Sequence, residues 1–322
     1  MTERRLGRTD IRVTPIGLGC WQFSGGEGLL GGYWPALPQA VVNDIVGASL
    51  NGGVRWFDTA EAYGAGRSEA ALAAALQAGG QEDGSVVIAT KWLPRLRTAG
   101  SIGRTIGVRL RHLAPYSIDL HQIHTDSHAL ATKRAQLDAM ARLVEAGRIR
   151  AVGVSNFSAR AMHRASRTLA RHGLCLASNQ VRYNLLDRRI ESNGVMETAR
   201  ELGATIIAYS PLAQGLLSGV FHDHPERLAR LSGPRLQHRA FQPDGLNTSA
   251  PVVQALRSIA ATHGATPAQV ALRWLVQAQG DVVVAIPGAS SPDQARENAG
   301  ALRIELTEAE ISALDHVSEP FR

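Results

Sequence analysis

Val54-Arg55-Trp56-Phe57-Asp58-Thr59-Ala60-Glu61-Ala62-Tyr63-Gly64-Ala65-Gly66-Arg67-Ser68-Glu69 contains a strand, a loop and the start of a helix in immediate succession. The β-branched and aromatic run Val54 to Phe57, bounded by Gly52-Gly53, suits a buried strand. It ends in a carboxylate, Asp58; a loop bearing Tyr63 and a glycine pair follows, and Ser68 opens an alanine-rich helix. In a parallel α/β fold this order puts Asp58 and Tyr63 at the C-terminal rim of the sheet, where such folds build their sites. The stretch alone also fits a plainer reading, with Asp58 capping a turn and Tyr63 a half-buried loop aromatic, so the rest of the chain has to decide.

Outward from this stretch the alternation repeats. Arg4 to Leu6 and Ile11 to Val13 flank Gly7-Arg8-Thr9-Asp10, a small hairpin, and Ile16 to Gly19 is a first strand. A glycine-rich loop over 21–37 follows. Helices are expected at 38–51, 68–78, 101–113 and 130–146, the last stopped by Gly147, then after Ser158 and up to Gly203, with two more before the last strand. Strands are expected at Val86 to Lys91, Ile118 to His124, Ile149 to Val154, Ala177 to Gln180, Thr205 to Tyr209 and Val282 to Ile286. Thr266-Pro267-Ala268-Gln269 and Thr307-Glu308-Ala309-Glu310 have capping-box form. The segment 211–250 reads as a long irregular loop, of a length more typical of a functional lid than of filler. Eight strand candidates, each followed by helix and with no linker between them, predict a (β/α)8 TIM barrel with an N-terminal β-hairpin, one domain over 1–322. A doubly wound sheet would want a glycine fingerprint after the first strand, and Gly17-Leu18-Gly19-Cys20-Trp21-Gln22 fails at its third glycine.

Composition narrows the function. Hydrophobic residues make up 44% and charged residues 19%, ordinary globular values. No apolar run approaches the roughly 18 residues that span a bilayer, so no membrane partner is expected. Met1-Thr2-Glu3-Arg4-Arg5 leads into nothing like a secretory segment, and Cys20 and Cys175 cannot make a disulfide framework; both point to a cytoplasmic protein. The net charge of +6 comes from arginines scattered along helices without a nucleic-acid-binding motif, so no nucleic acid is expected. Only Lys91 and Lys133 are lysines, which makes their placement informative.

Strand ends supply Asp58, Lys91 and His124, and Tyr63 lies in the loop after Asp58. Consecutive barrel strands are neighbours, so the four converge. A lysine whose stem is buried needs a counter-charge, and Asp58 can supply it. The ammonium would in turn favour the phenolate of Tyr63 and lower its pKa by about one to three units, within reach of proton exchange with a carbonyl oxygen. His124 can orient the same oxygen. His121, His124, Asp126 and His128 are crowded, but residues three apart on a strand point to opposite faces, and no metal is expected.

At these residues the chain resembles the aldo-keto reductase superfamily: Phe57-Asp58-Thr59-Ala60-Glu61-Ala62-Tyr63-Gly64, Ala89-Thr90-Lys91, Gln122-Ile123-His124, Gly153-Val154-Ser155-Asn156-Phe157 and Ile207-Ala208-Tyr209-Ser210-Pro211-Leu212 come in the family's order. The resemblance implies a barrel that reduces aldehydes or ketones with a nicotinamide cofactor. It makes Asp58, Tyr63, Lys91 and His124 the catalytic tetrad, with Tyr63 as acid or base. Ser155, Asn156 and Gln180 match the groups that hold the carboxamide, Tyr209 the ring that stacks on the nicotinamide, and Ser210, Leu212, Gln214 and Gly215 the loop around the pyrophosphate. Pro287, Gly288, Ser290, Gln294, Glu297 and Asn298 fall where the family holds the adenosine end. Family habit favours NADP(H); Ser290 and Gln294, standing where a cation might be expected, leave NAD(H) open. Trp21, Phe23, Tyr33 and Trp92 are expected to wall a pocket for a small-molecule carbonyl substrate.

Two other functions fit parts of the pattern. Lys91 could be the Schiff-base nucleophile of a lyase or aldolase barrel. The chain could also be a cofactor-sensing auxiliary subunit of a membrane channel, as some members of the superfamily are. The natural substrate, the direction in the cell and the oligomeric state are not encoded legibly.

Overall fold

The structure is a computed structural model describing residues 3–26, 33–126, 130–230 and 239–322. His128, loop positions 27–32 and positions 231–238 of the expected lid lie outside the described residues.

Two short strands, β1 (Arg4–Arg5) and β2 (Arg12–Val13), pair antiparallel as the expected hairpin. Eight parallel strands follow in sequence order: β3 (Leu18–Gly19), β4 (Trp56–Asp58), β5 (Val87–Trp92), β6 (Leu120–Ile123), β7 (Ala151–Ser155), β8 (Leu176–Arg182), β9 (Thr205–Tyr209) and β10 (Val283–Ala285). The first and last are joined by parallel bridges Ile16 to Ala285 and Gly19 to Gly288, with Gly17 N–H donating to the Ala285 carbonyl at 2.8 Å. These bonds close the sheet into the (β/α)8 barrel. Around it run α1 (Gln39–Asn51), α2 (Arg67–Ala78), α3 (Gly100–Leu113), α4 (Lys133–Glu145), α5 (Ala159–Ala170), α6 (Val195–Leu202), α7 (Val220–Asp223), α8 (Pro243–His263), α9 (Pro267–Gln277), α10 (Pro292–Gly300) and α11 (Glu308–Val317).

Side chains alternate along each strand, so every second residue faces the barrel axis. Trp56, Ala89, Leu120, Ala151, Ala177, Ile207 and Val284 form an inner layer that packs with Leu6, Ile11 and Val13 of the hairpin, and the hairpin thereby plugs the N-terminal mouth. Close approach explains two glycines: a Cβ on Gly17 would sit 2.3 Å from the Trp56 ring, and one on Gly153 would sit 2.4 Å from Ser178 Oγ. The outward residues, among them Phe57, Ile88, Ile123, Val154, Ile206 and Ala285, join the larger core under the helices.

Two expectations need correction. The fourth helix begins at Lys133, where the Thr132 side chain caps it, and not at Leu130, which is exposed. Among its described residues the segment after Pro211 is not irregular to 250. It carries 3-10 stretches at Ala213–Ser218, kinked at Gln214 and Gly215, and at Pro225–Arg230, with the one-turn α7 between them, and Leu216, Phe221 and Phe241 pack into a small core of their own; α8 then starts at Pro243.

Candidate active site

One turn of the strand pleat beyond the apolar layer, the inward side chains become polar. Asp58 on β4 forms a buried ion pair with Lys91 on β5, and the Lys91 ammonium also donates to the Thr59 carbonyl at 2.8 Å. The other Asp58 oxygen accepts from Gln122 Nε2 at 3.0 Å and from Gln180 Nε2 at 2.8 Å. Tyr63, on the loop after β4, lies over this cluster with Lys91 Nζ 5.1 Å from its ring centroid. His124, just beyond β6, meets the Tyr63 ring edge-on at 5.7 Å, and its Nδ1 finds no partner among the described residues. The four residues expected to converge therefore do so on one patch.

The electrostatics differ from the expectation at one point. Burial pushes the Tyr63 phenol up, and the opposing pull of Lys91 does not overcome it, so the group is held protonated instead of being lowered toward neutrality. Burial also works against the Lys91 charge, but Asp58 and Tyr63 outweigh it and hold the ammonium above its ordinary value. His124 is driven down to about 3, first by burial and then by Lys91, so it is a neutral imidazole through the physiological range. A protonated phenol, a permanent ammonium beneath it and a neutral imidazole beside it form a proton donor with its product charge already compensated. Lys91 is wholly buried and charged, the reverse of the accessible neutral amine a Schiff base requires.

The patch is the floor of a cavity of about 850 Å³ at the C-terminal ends of the strands. All the residues matched to cofactor contacts line it: Ser155, Asn156, Gln180, Tyr209, Ser210, Leu212, Gln214, Gly215, Pro287, Gly288, Ser290, Gln294, Glu297 and Asn298. Ser155 Oγ donates to the Gln180 carbonyl at 2.9 Å, Asn156 Nδ2 to Ser155 Oγ at 3.1 Å, and Tyr209 Oη to Asn156 Oδ1 at 3.0 Å. This chain leaves amide and hydroxyl groups beside a half-buried aromatic ring, a set that fits a carboxamide-bearing heteroaromatic ring. After β9, Ala213, Gln214 and Gly215 all have positive φ (48°, 58° and 99°), a run that turns successive backbone N–H groups toward one concave side and suits a diphosphate. These features fit a nicotinamide dinucleotide. At the far end Gln294 Oε1 accepts from Ser290 N at 2.8 Å, and Arg296 pairs with Asp293 and does not line the cavity.

Of the expected pocket aromatics, Trp21 and Tyr33 line the cavity and Phe23 and Trp92 do not. Trp21 stacks on Tyr33 at 4.6 Å and on Tyr63 at 5.7 Å, and Tyr33 reaches across to Gln214 Oε1 at 2.9 Å. Phe23 and Trp92 point into the core; Trp92 is on the outward face of β5, where its Nε1 donates to Ser101 Oγ at 3.1 Å. Trp34, an aromatic of the same 21–37 loop, lines the cavity too; Arg182 and Arg227 line it without a signal in the sequence, and Gln122 holds Asp58 beneath it. Gln122 was findable: it lies two residues before His124 and shares its inward face. His121 and His124 face opposite sides of β6, and among the described residues no group of three or more His, Cys, Asp or Glu could hold a metal ion.

The aldo/keto reductase family model matches residues 15–319. An uncharacterised oxidoreductase of Mycobacterium tuberculosis is 37% identical over 311 residues, covering 97% of this chain and 91% of its own. A chloroplastic pyridoxal reductase of Arabidopsis thaliana is 32% identical, covering 96% and 84%. Among solved structures, a thermostable aldo-keto reductase in complex with the inhibitor epalrestat superposes with a TM-score of 0.77 at 31% identity, covering 98% of this chain and 100% of its own. The glycerol dehydrogenase of Gluconobacter oxydans gives 0.80 at 26% identity, covering 98% and 94%.

Proposed function

The chain belongs to the aldo/keto reductase family, a carbonyl-reducing oxidoreductase family, and from that premise we propose that it reduces aldehydes or ketones to alcohols with NADP(H), using Tyr63 as the proton donor. The observation that carries the reading is the protonated Tyr63 phenol held over the Asp58–Lys91 pair at the floor of the cavity. A bound nicotinamide cofactor supplies the hydride for the carbonyl carbon. The chain's own part begins with Ser155, Asn156 and Gln180, whose amide and hydroxyl groups would hold the cofactor's carboxamide, with the Tyr209 ring as the flat surface beside it, and loop 213–215 would take the diphosphate. His124, neutral, donates its ring N–H to the substrate carbonyl oxygen, and Tyr63 passes its proton to that oxygen. The resulting phenolate lies next to the Lys91 ammonium, which stabilises it, and Asp58, Gln122 and Gln180 keep that ammonium in place.

NADP(H) is proposed over NAD(H) on the charge of the cavity wall. Arg182 and Arg227 line it, whereas of its carboxylates Asp58 is committed to Lys91 and only Glu297 stands near the far end. A net positive wall favours the more anionic dinucleotide. Trp21, Tyr33 and Trp34 at the mouth suit a flat or apolar carbonyl, and the pyridoxal reductase relative makes an aromatic aldehyde the natural first probe.

Trp21 and Trp34 line the cavity, so cofactor binding is readable in tryptophan fluorescence. Parallel titrations with NADPH and NADH are expected to show saturable quenching with the lower Kd for NADPH. No response to either would remove the redox reading.

A further inference from the structure

None of Glu61, Glu69, Arg97, Arg109 and His112 lines the cavity, yet together they form a network directly behind the loop that carries Tyr63, with Glu69 and Arg109 buried and Arg97 and His112 half-buried at its outer side. Glu61 is two residues before Tyr63. One of its carboxylate oxygens accepts from the Leu93 backbone N–H at 2.7 Å and from the Arg97 guanidinium; the other accepts from Arg109. Arg109, on α3, turns its Nε to Glu69 of α2 at 2.9 Å. Glu69, fully buried, accepts from Thr90 Oγ1 at 2.6 Å, and Thr90 is the residue before Lys91. One guanidinium therefore bridges two carboxylates, of which one fixes the Tyr63 loop and the other fixes the strand segment that carries Lys91.

We propose that Arg109 is a positioning residue that sets the separation between the Tyr63 phenol and the Lys91 ammonium, acting through Glu61 on one side and through Glu69 and Thr90 on the other. Glu61 and Glu69 belong to two segments joined by a short 3-10 turn over Gly64–Gly66 with positive φ at all three residues, in which Tyr63 N donates to the Ala60 carbonyl and Ser68 N to the Tyr63 carbonyl. To this backbone frame, which also ties Glu61 N to the Lys91 carbonyl, the network adds a side-chain clamp from α3. Its planar, forked donor set is what lets one side chain hold two carboxylates at once, which an ammonium cannot do with the same geometry. A misplacement of about 1 Å at a proton donor costs on the order of a hundredfold in rate.

The proposal rests on the reading of Tyr63 as the proton donor, and the test separates the two. Arg109→Met is paired with the double variant Arg109→Met/Glu69→Gln: Glu61 keeps Arg97 in the single variant, whereas the buried Glu69 loses its guanidinium, and the amide removes that charge while still accepting from Thr90. For both, the expected result is a fall in kcat of at least about tenfold with an aromatic aldehyde, a cofactor Kd by fluorescence within about twofold of the wild type, and no further loss when Arg109→Met is placed in a Tyr63→Phe background. Unchanged kcat would overturn the proposal. So would a loss of cofactor affinity matching the loss of turnover, which marks general loosening, or a full additional loss in the Tyr63→Phe background, which marks a route other than Tyr63. A wild-type protein that binds neither dinucleotide would instead overturn the functional reading beneath it.

Discussion

The same barrel strands build two layers of opposite character only two residues apart. Trp56, Ala89, Leu120 and Ile207 form a dry plug with the hairpin, whereas Asp58, Lys91, Gln122 and Tyr209, each one pleat further along, build a polar floor. The period of the strand sets the step, about 6.6 to 6.8 Å for two residues, so stability and chemistry occupy adjacent tiers, and the Tyr209 ring touches both. The N-terminal tier gains from apolar area. The C-terminal tier buries a charge pair whose energy of assembly is at best balanced, and is held because neither partner can be left alone.

Removing one charge from the polar tier should therefore have the largest effect. Lys91→Met leaves Asp58 buried with only two amides, and is expected to cost about 3–5 kcal/mol of stability and to lower kcat by roughly 10²- to 10⁴-fold. Urea denaturation and steady-state kinetics read both. In the apolar tier Trp56→Ala is expected to cost a similar 3–5 kcal/mol, through the void left beside Gly17, while kcat changes by no more than a few-fold. A large kcat loss there would merge the two tiers into one.

The histidines of β6 sharpen the comparison, because His121 faces the helices and His124 faces the cavity, yet burial holds both at about 3 in the folded chain against an ordinary 6.5. Below pH 6.5 the unfolded chain takes up protons that the folded chain refuses. Stability present above that pH is lost as pH falls toward 3, by up to about 1.4 kcal/mol per pH unit for each histidine. Unfolding free energies at pH 7 and pH 5 should differ accordingly, and His121→Leu should remove about half of the difference while leaving kcat little changed. Smallest is Thr307→Ala at the capping box of α11, expected to cost about 1 kcal/mol with no effect on turnover, as differential scanning calorimetry would show.

Much of this was legible in the chain because period and punctuation agree. The eight strands, the hairpin, the helix starts at Thr266 and Thr307 and the meeting of Asp58, Tyr63, Lys91 and His124 follow from alternation and order alone. What was not legible depends on packing at a distance. Nothing local distinguishes Trp92, turned outward to Ser101, from Trp21, stacked on Tyr63. The shift of the Tyr63 phenol depends on how completely the aromatics above it exclude water, which outweighs the neighbouring ammonium visible in the sequence. The bridge from Glu61 through Arg109 to Glu69 joins residues of three separate segments, and no spacing announces it.

The central claim is that the Tyr63 hydroxyl, and not merely the ring, does the proton transfer. Tyr63→Phe keeps the ring that stacks on Trp21 and removes one oxygen. The measurement is kcat for an aromatic aldehyde alongside the NADPH Kd of the same preparation: the account predicts an unchanged Kd and a turnover reduced by about 10²-fold or more, and equal turnover in the two proteins would contradict it.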